Sequence, residues 1–250
     1  MRIAVAGGTG TVGQHVTRTA REAGHDVVVL SRRQGADVLT GQGVARALAG
    51  ADAVIDVTSI MTLSQKKATA FFETGTRTLL TAGARVGVGH HVVLSIVGID
   101  GIDTGYYGAK LAQERAVAAG AVPSTIVRAA QFHEFAGQVM GQVGGPFAIA
   151  PRTLMRPVAA REVAEHLVRV AEAGPTGRAR DIIGPRDETL ADVMRRQLAF
   201  DGIRRRVLDV RLPGAYGRGL ASGVLRGGAD ALHGEVTFDD WLRGPDHDRP

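Results

Sequence analysis

The first thirteen residues, MRIAVAGGTGTVG, limit what the chain can fold into more than any other stretch. A short apolar run, Ile3–Ala6, leads directly into Gly7, Gly10 and Gly13, and a helical pattern follows through about Ala23. Strand, glycine turn and helix in that order let backbone approach a pyrophosphate. One glycine makes the tight turn, one clears space for phosphate, and one lets the helix pack on the strand. The helix N-terminus then offers free N–H groups and the positive end of its dipole. Gly7, Thr9, Gly10, Thr11, Val12 and Gly13 are therefore read as a dinucleotide cradle, with a purely structural turn as the rival reading.

The same alternation continues through the first half. Asp26–Leu30 (DVVVL) reads as a strand buried on both faces. A short extended piece is expected at Asp37-Val38, a short helix at Gly43–Ala49, and a strand at Ala53–Val57. Gln65–Val86 has helical periodicity, His91–Ser95 is a strand, Tyr106–Ala119 a helix and Ser124–Val127 a strand. This predicts an α/β fold, a Rossmann-type doubly wound parallel sheet. Past about residue 130 the alternation decays, and Gly137–Gly145 is glycine-rich and poorly periodic. Helices are expected at Arg161–Ala173, Leu190–Ala199 and Phe238–Leu242, with strands at Arg180–Ile183 and Val207–Arg211. The expected organisation is a single nucleotide-binding domain over residues 1–250. Residues of about 130–150 and 185–243 form a small C-terminal substrate-binding subdomain, and 244–250 a frayed tail.

Composition removes other classes. There is no cysteine, so disulfide scaffolds, Cys-ligated zinc and catalytic thiols are excluded. No histidine spacing suits a metal, and no G-x-S-x-G elbow marks a hydrolase. The sequence pI is near 10.2, yet residues 1–150 carry net +3 and residues 151–250 net +2. Charge this evenly mixed does not suit a nucleic-acid footprint. The Arg204-Arg205-Arg206 run reads as a solvated strand edge, with a phosphate site as the rival reading. No apolar run reaches about 18 residues and no signal-like segment opens the chain, so a cytoplasmic protein without membrane partners is expected.

The strand after the glycine turn discriminates between nucleotides. An acid there would hold a ribose 2′-hydroxyl, but Leu30 is followed by Ser31-Arg32-Arg33. Two guanidiniums and a hydroxyl suit a 2′-phosphate, so NADP(H) is expected. Asp37 lies where an acid could hold the adenine amino group, or else form a turn. Thr58 and Ser59, following what counts as the fourth strand, are expected under the cofactor, with Met61 beside the substrate.

A second constellation follows the His91–Ser95 strand. Tyr106 and Lys110 are spaced i,i+4 and share a helical face. An ammonium beside a phenol favours phenolate, which makes Tyr106 a candidate proton donor or acceptor. Ser95, at a strand's carboxyl end, is a candidate for holding a substrate oxygen. Either Tyr106 or Lys110 is left to handle the proton.

The glycine turn, Ser31-Arg32-Arg33, LSIVG (94–98), YYGAKLAQE (106–114) and TIVRAAQFHEF (125–135) together resemble the atypical short-chain dehydrogenase/reductases of the NmrA-like branch. The resemblance spans roughly residues 1–240. It implies a Rossmann fold, NADP(H), and often reduction of a quinone, carbonyl or conjugated aromatic. It assigns Gly7, Gly10 and Gly13 to the phosphates, Arg32 to the 2′-phosphate, and Lys110 to the ribose hydroxyls or catalysis. The Ser95–Tyr106 interval of 11 is shorter than the family's usual serine–tyrosine spacing.

After the sixth strand, Gln131 and His133 are candidates to polarise a substrate oxygen, and Phe132 and Phe135 to wall an apolar pocket. A hydrogen-bonded structural role is the rival for His133. Met155 is expected at the cleft, as in such relatives. The leading expectation is an NADP(H)-dependent oxidoreductase acting on an aromatic or quinone-like small molecule, with homodimerisation left open. Two rivals stand: a non-catalytic NADP(H)-sensing regulator, and a non-redox isomerase, lyase or epoxide-opening enzyme on the same fold.

Overall fold

A computed structural model describes residues 1–142 and 144–247. The chain divides into two compact units. Met1–Ser95, Asp103–Arg128 and Arg161–Arg180 form one, and Ile96–Ile102, Ala129–Ala160 and Asp181–Pro250 the other.

In the first unit strands and helices alternate: β1 (Arg2–Ala6), α1 (Thr11–Glu22), β2 (Asp26–Leu30), α2 (Val44–Leu48), β3 (Ala53–Asp56), α3 (Gln65–Val86), β4 (His90–Ile96), α4 (Gly105–Ala118) and β5 (Ser124–Ala129). Their order across the sheet is β5-β4-β3-β1-β2. β1 pairs in parallel with both β2 and β3, and β3 with β4. This is a Rossmann-like α/β fold with a mostly parallel sheet and flanking helices. Register brings the carboxyl ends of three strands level, because Ala6 pairs with both Leu30 and Asp56. Open α/β sheets bind ligands at that edge.

Local chemistry sets the two long helices. α3 starts where Ser64 Oγ accepts the Lys67 N–H at 3.3 Å and stops at Gly87, whose φ of +80° is left-handed. It buries Ala68, Phe72, Thr76, Leu79 and Gly83 at helical spacing. α4 is tied to its start, since Gln65 Oε1 accepts the Gly105 N–H at 2.8 Å. Unlike α3, α4 is buried on most of its circumference, polar residues Lys110, Gln113 and Glu114 included. Glu114 is neutralised by a two-pronged pair with Arg128 of β5, at 2.7 and 2.6 Å.

Several expectations need correction. Asp37-Val38 is not extended. Asp37 Oδ1 accepts the Leu39 N–H at 2.8 Å, and this turn chemistry takes the place of a strand. Ala53–Asp56 is therefore the third strand of the chain and Ser124–Ala129 the fifth, not the fourth and sixth. β2 ends the sheet, so Val27, Val28 and Val29 are only half-buried. A groove of about 410 Å³ follows its free edge, and Arg2, Arg21 and Arg46 among its lining residues charge that edge against strand addition.

In the second unit Ala129 pairs with Ile182, and Ile182–Ile183 with Leu232–His233, all in parallel. A separate parallel ribbon joins Phe147–Pro151 to Arg206–Val210. The 137–145 stretch, expected to lack period, contributes a helix, α5 (Phe135–Gly141); Val143 lies outside the described residues. Met140, Met155, Leu190, Met194, Phe238 and Trp241 form a core. The Arg204–Arg206 run is not simply solvated. Arg206 opens a strand, and Arg205 donates to the carbonyls of Met140 and Phe147 at 3.0 and 2.7 Å. Nor is the expected tail loose at His247, which is buried against Asp201 at 2.7 Å and against the Trp241 ring; 248–250 lie outside the described residues.

Candidate functional site

The glycine turn is sterically determined at two positions and open at a third. Gly7 has φ +81°, and a Cβ there would stand 3.0 Å from Thr58 N and Val57 C. A Cβ on Gly13 would overlap Gly7 O at 2.1 Å, so α1 packs directly on the turn. Gly10, the N-cap of α1, is different, because its Cβ would meet only Gly7 O, at 3.4 Å. No side chain caps α1 and no acid occupies its first turn. The cradle is thus open backbone with uncompensated N–H groups, a surface that fits an anionic pyrophosphate.

Beyond β2, Arg32 and Arg33 form an exposed 3₁₀ turn with Gln34. Neither guanidinium is ion-paired within the described residues. Ser31 Oγ donates to Gln34 Oε1 at 3.2 Å, and Asp37 is engaged in its own turn. The two arginines are therefore the groups free to meet a phosphate.

At the end of β3, Asp56 is 1% exposed. Its Oδ1 accepts from Thr58 N at 2.9 Å and from Thr58 Oγ1 at 2.7 Å. This holds the Thr58 turn against Gly7. The next residue, Ser59, is exposed, and its Oγ lies 2.9 Å from the Tyr106 hydroxyl. Sequence reasoning offered Ser95 as the hydroxyl that holds a substrate oxygen and set Ser59 under the cofactor. Ser95 is 2% exposed and its Oγ has no hydrogen-bond partner among the described residues, so it is packed inside the sheet end.

Tyr106 and Lys110 do share a side of α4, and Phe72 lies against both. The Tyr106 ring meets it edge-on at 5.5 Å, and the Lys110 Nζ sits 4.5 Å from its centroid. The ammonium points inward, donating to Leu94 O at 2.7 Å and to Gln113 Oε1. The expected activation of the phenol by the lysine is not found. Burial pushes the Tyr106 phenol above its ordinary value, with the Ser59 hydrogen bond pulling the other way. Lys110 is itself pulled down to about 8 by burial, against the attraction of Asp56 and Glu114.

The substrate-side candidates lie in the second unit, apart from the exposed Met61. Gln131 is buried, and neither polar atom of its amide has a hydrogen-bond partner among the described residues. His133 Nε2 hydrogen-bonds Val236 O at 3.0 Å, its ring packs against Phe238 and Trp241, and burial pulls it down to about 4. That is the structural role, a neutral core histidine. Met155 is 1% exposed inside the same core and Phe135 packs on it, so both are placed as packing residues. Phe132 is half-buried and bridges to Val158. Sequence reasoning missed Asp56 and Gln113; the signal for Asp56 was a carboxylate on an otherwise apolar strand.

Residues 3–121 match the model of the NAD dependent epimerase/dehydratase family. Solved structures of the same fold include a triphenylmethane reductase from Citrobacter sp. complexed with NADP(H), at TM-score 0.73 and 16% identity, covering 97% of this chain and 99% of that one. An NADPH-dependent quinone oxidoreductase from Escherichia coli complexed with NADPH aligns at TM-score 0.72 and 17% identity, covering 96% and 98%. At these identities the likeness shows a shared fold. A nucleoside-diphosphate-sugar epimerase from Staphylococcus aureus also shares this fold, at TM-score 0.72 and 15% identity, covering 98% and 100%. No curated protein sequence matches the chain.

Two stability predictions follow from this site. Gly13→Ala forces the Gly7 backbone to move and is expected to cost more than about 2 kcal/mol, whereas Gly10→Val costs about 1 kcal/mol or less. Equal losses in denaturant unfolding would contradict the packing described. The second concerns Lys110. Its folded value of about 8 lies below the unfolded value, so between the two the unfolded chain holds more protons. Stability of the parent relative to Lys110→Met should therefore rise as pH increases from about 7.5 to 9.5. A constant or falling difference would show that Lys110 is not buried as a cation.

Proposed function

We propose that the protein is an NADP(H)-dependent oxidoreductase that moves hydride to or from a carbonyl, quinone or conjugated small molecule. The observation that carries this reading is the open Gly10 cradle combined with two unpaired arginines, and no acid, after β2. Gly7, Gly10 and Gly13 would admit the pyrophosphate, Arg32 and Arg33 the 2′-phosphate, and Thr58 and Ser59 the ribose side. NADP(H), when bound, supplies or accepts the hydride.

This chain's own contribution is proton handling. Burial keeps the Tyr106 phenol protonated at neutral pH, which suits donation to a substrate oxygen that gains negative charge. The Ser59 hydroxyl, 2.9 Å away, orients it. The similarity to an NADPH-dependent quinone oxidoreductase and a triphenylmethane reductase supports an aromatic or quinone-like substrate.

One observation favours the rival reading of a nucleotide sensor. Ser95 and Lys110, both expected in catalysis, are buried, and the Lys110 ammonium donates to Leu94 O and Gln113 Oε1. Turnover separates the two. Arg32→Ala should weaken NADPH binding tenfold or more, about 1.5–3 kcal/mol, while leaving NADH binding nearly unchanged. Equal weakening of both nucleotides in a titration would remove the NADP assignment. Tyr106→Phe should lower kcat by about 10²–10⁴ in a quinone and carbonyl panel, with the NADPH dissociation constant unchanged. A parent that binds NADPH but turns over no member of the panel would put the sensor first.

A further inference from the structure

Gln113 has no part in the proton chemistry above, yet it is 1% exposed, and an amide buried that deeply is costly unless its polar atoms are engaged. They are engaged in an ordered way. Oε1 accepts from Lys110 Nζ, three residues earlier on the same side of α4. Nε2 donates to Asp56 Oδ2 at 3.2 Å and to Thr76 Oγ1 at 3.2 Å. The amide therefore stands between a buried ammonium and a buried carboxylate. Its orientation is forced, since a flipped amide would turn its NH₂ on the cation and its oxygen on the anion.

The other carboxylate oxygen, Asp56 Oδ1, takes both the N–H and the hydroxyl of Thr58. Thr58 N is one of the atoms that a Cβ on Gly7 would approach at 3.0 Å. An unbroken set of contacts thus runs from Lys110 through Gln113, Asp56 and Thr58 to the glycine turn. The charged and titratable groups packed around it are Asp56 on β3, His91 on β4, Glu114 on α4, and Arg128 on β5, which neutralises Glu114.

We propose that Gln113 is a positioning residue, joining the Lys110 ammonium to the Asp56–Thr58 turn so that the lysine's charge and the turn's placement beside the glycine loop are set together. An amide is the group that does this. A glutamate would accept from Lys110 but oppose Asp56, and a methionine would fill the space and bond neither. The effect on nucleotide affinity rests on the cofactor reading above; the effect on Lys110 does not.

The test uses the whole chain labelled with ¹³C-lysine. There are three lysines, Lys66, Lys67 and Lys110, so the buried resonance is assigned from its absence in Lys110→Met. Titration should show the Lys110 midpoint moving up in Gln113→Glu and down in Gln113→Met, each by about one unit. Both variants should raise the NADPH dissociation constant about fivefold or more, a loss transmitted through Thr58. Exchanging the two groups in Asp56→Asn/Gln113→Glu places the carboxylate against Lys110 and an amide against Thr58, and should restore affinity to within about twofold of the parent. That exchange decides the matter alone if Gln113→Met fails to fold. Midpoints that stay fixed or move in the same direction overturn the proposal, as does a folded double variant without recovery. A parent that binds no NADPH overturns the cofactor reading, while the opposite midpoint shifts still decide the role of Gln113.

Discussion

Burying the Asp56 carboxylate at the end of β3 costs several kcal/mol unless hydrogen bonds replace water at both oxygens, and the surrounding residues are arranged to do that. One oxygen is satisfied by the turn that follows, through Thr58, and the other by Gln113 from α4. The first contact fixes the chain where it leaves the sheet; the second fixes the helix that carries Tyr106. Because Asp56 is level with Ala6 across the sheet, the same carboxylate also holds the segment that closes over the glycine turn. Sheet, turn and helix are thus referred to one buried charge.

α4 carries this arrangement at some cost. A helix that buries a lysine, a glutamine and a glutamate cannot rely on an apolar stripe, and each polar group needs a specific partner. Glu114 finds Arg128, Gln113 finds Asp56 and Thr76, and Lys110 finds Leu94 O and the face of Phe72. Such a helix tolerates little displacement, because moving it breaks several buried hydrogen bonds at once. Tyr106, in its first turn, is held by that rigidity as well as by Ser59.

Elements whose periodicity reflects burial were legible in the sequence. α3 begins and ends as expected because Ser64 and Gly87 supply its caps, and β1 with its glycine turn is legible because sterics admit few other residues there. Asp37-Val38 misleads because strand composition does not reveal the turn that Asp37 closes onto Leu39. The second unit was hard to read because much of its pairing uses two-residue strands, too short to show a period. In the site, residue types were legible but directions were not. Ser59 was read as a cofactor contact and Ser95 as a substrate contact, and only the backbone shows that Ser59 is the hydroxyl that meets Tyr106. The shared side of Tyr106 and Lys110 was correct, yet the long lysine chain turns inward to an acceptor on another strand.

The turn that replaces a strand after β2 shortens the path between β2 and β3, which flank β1 on either side. The whole crossover, residues 31–52, contains one five-residue α-helix. Closing a loop costs entropy that grows with the logarithm of its length, so a short crossover makes β1, β2 and β3 an inexpensive parallel set to assemble. All three strands lie within residues 2–56, so they are synthesised before any residue of the second unit. The half of the molecule that bears the glycine turn is therefore able to form its strand order early in synthesis, before the residues of the second unit beyond Ala129 exist.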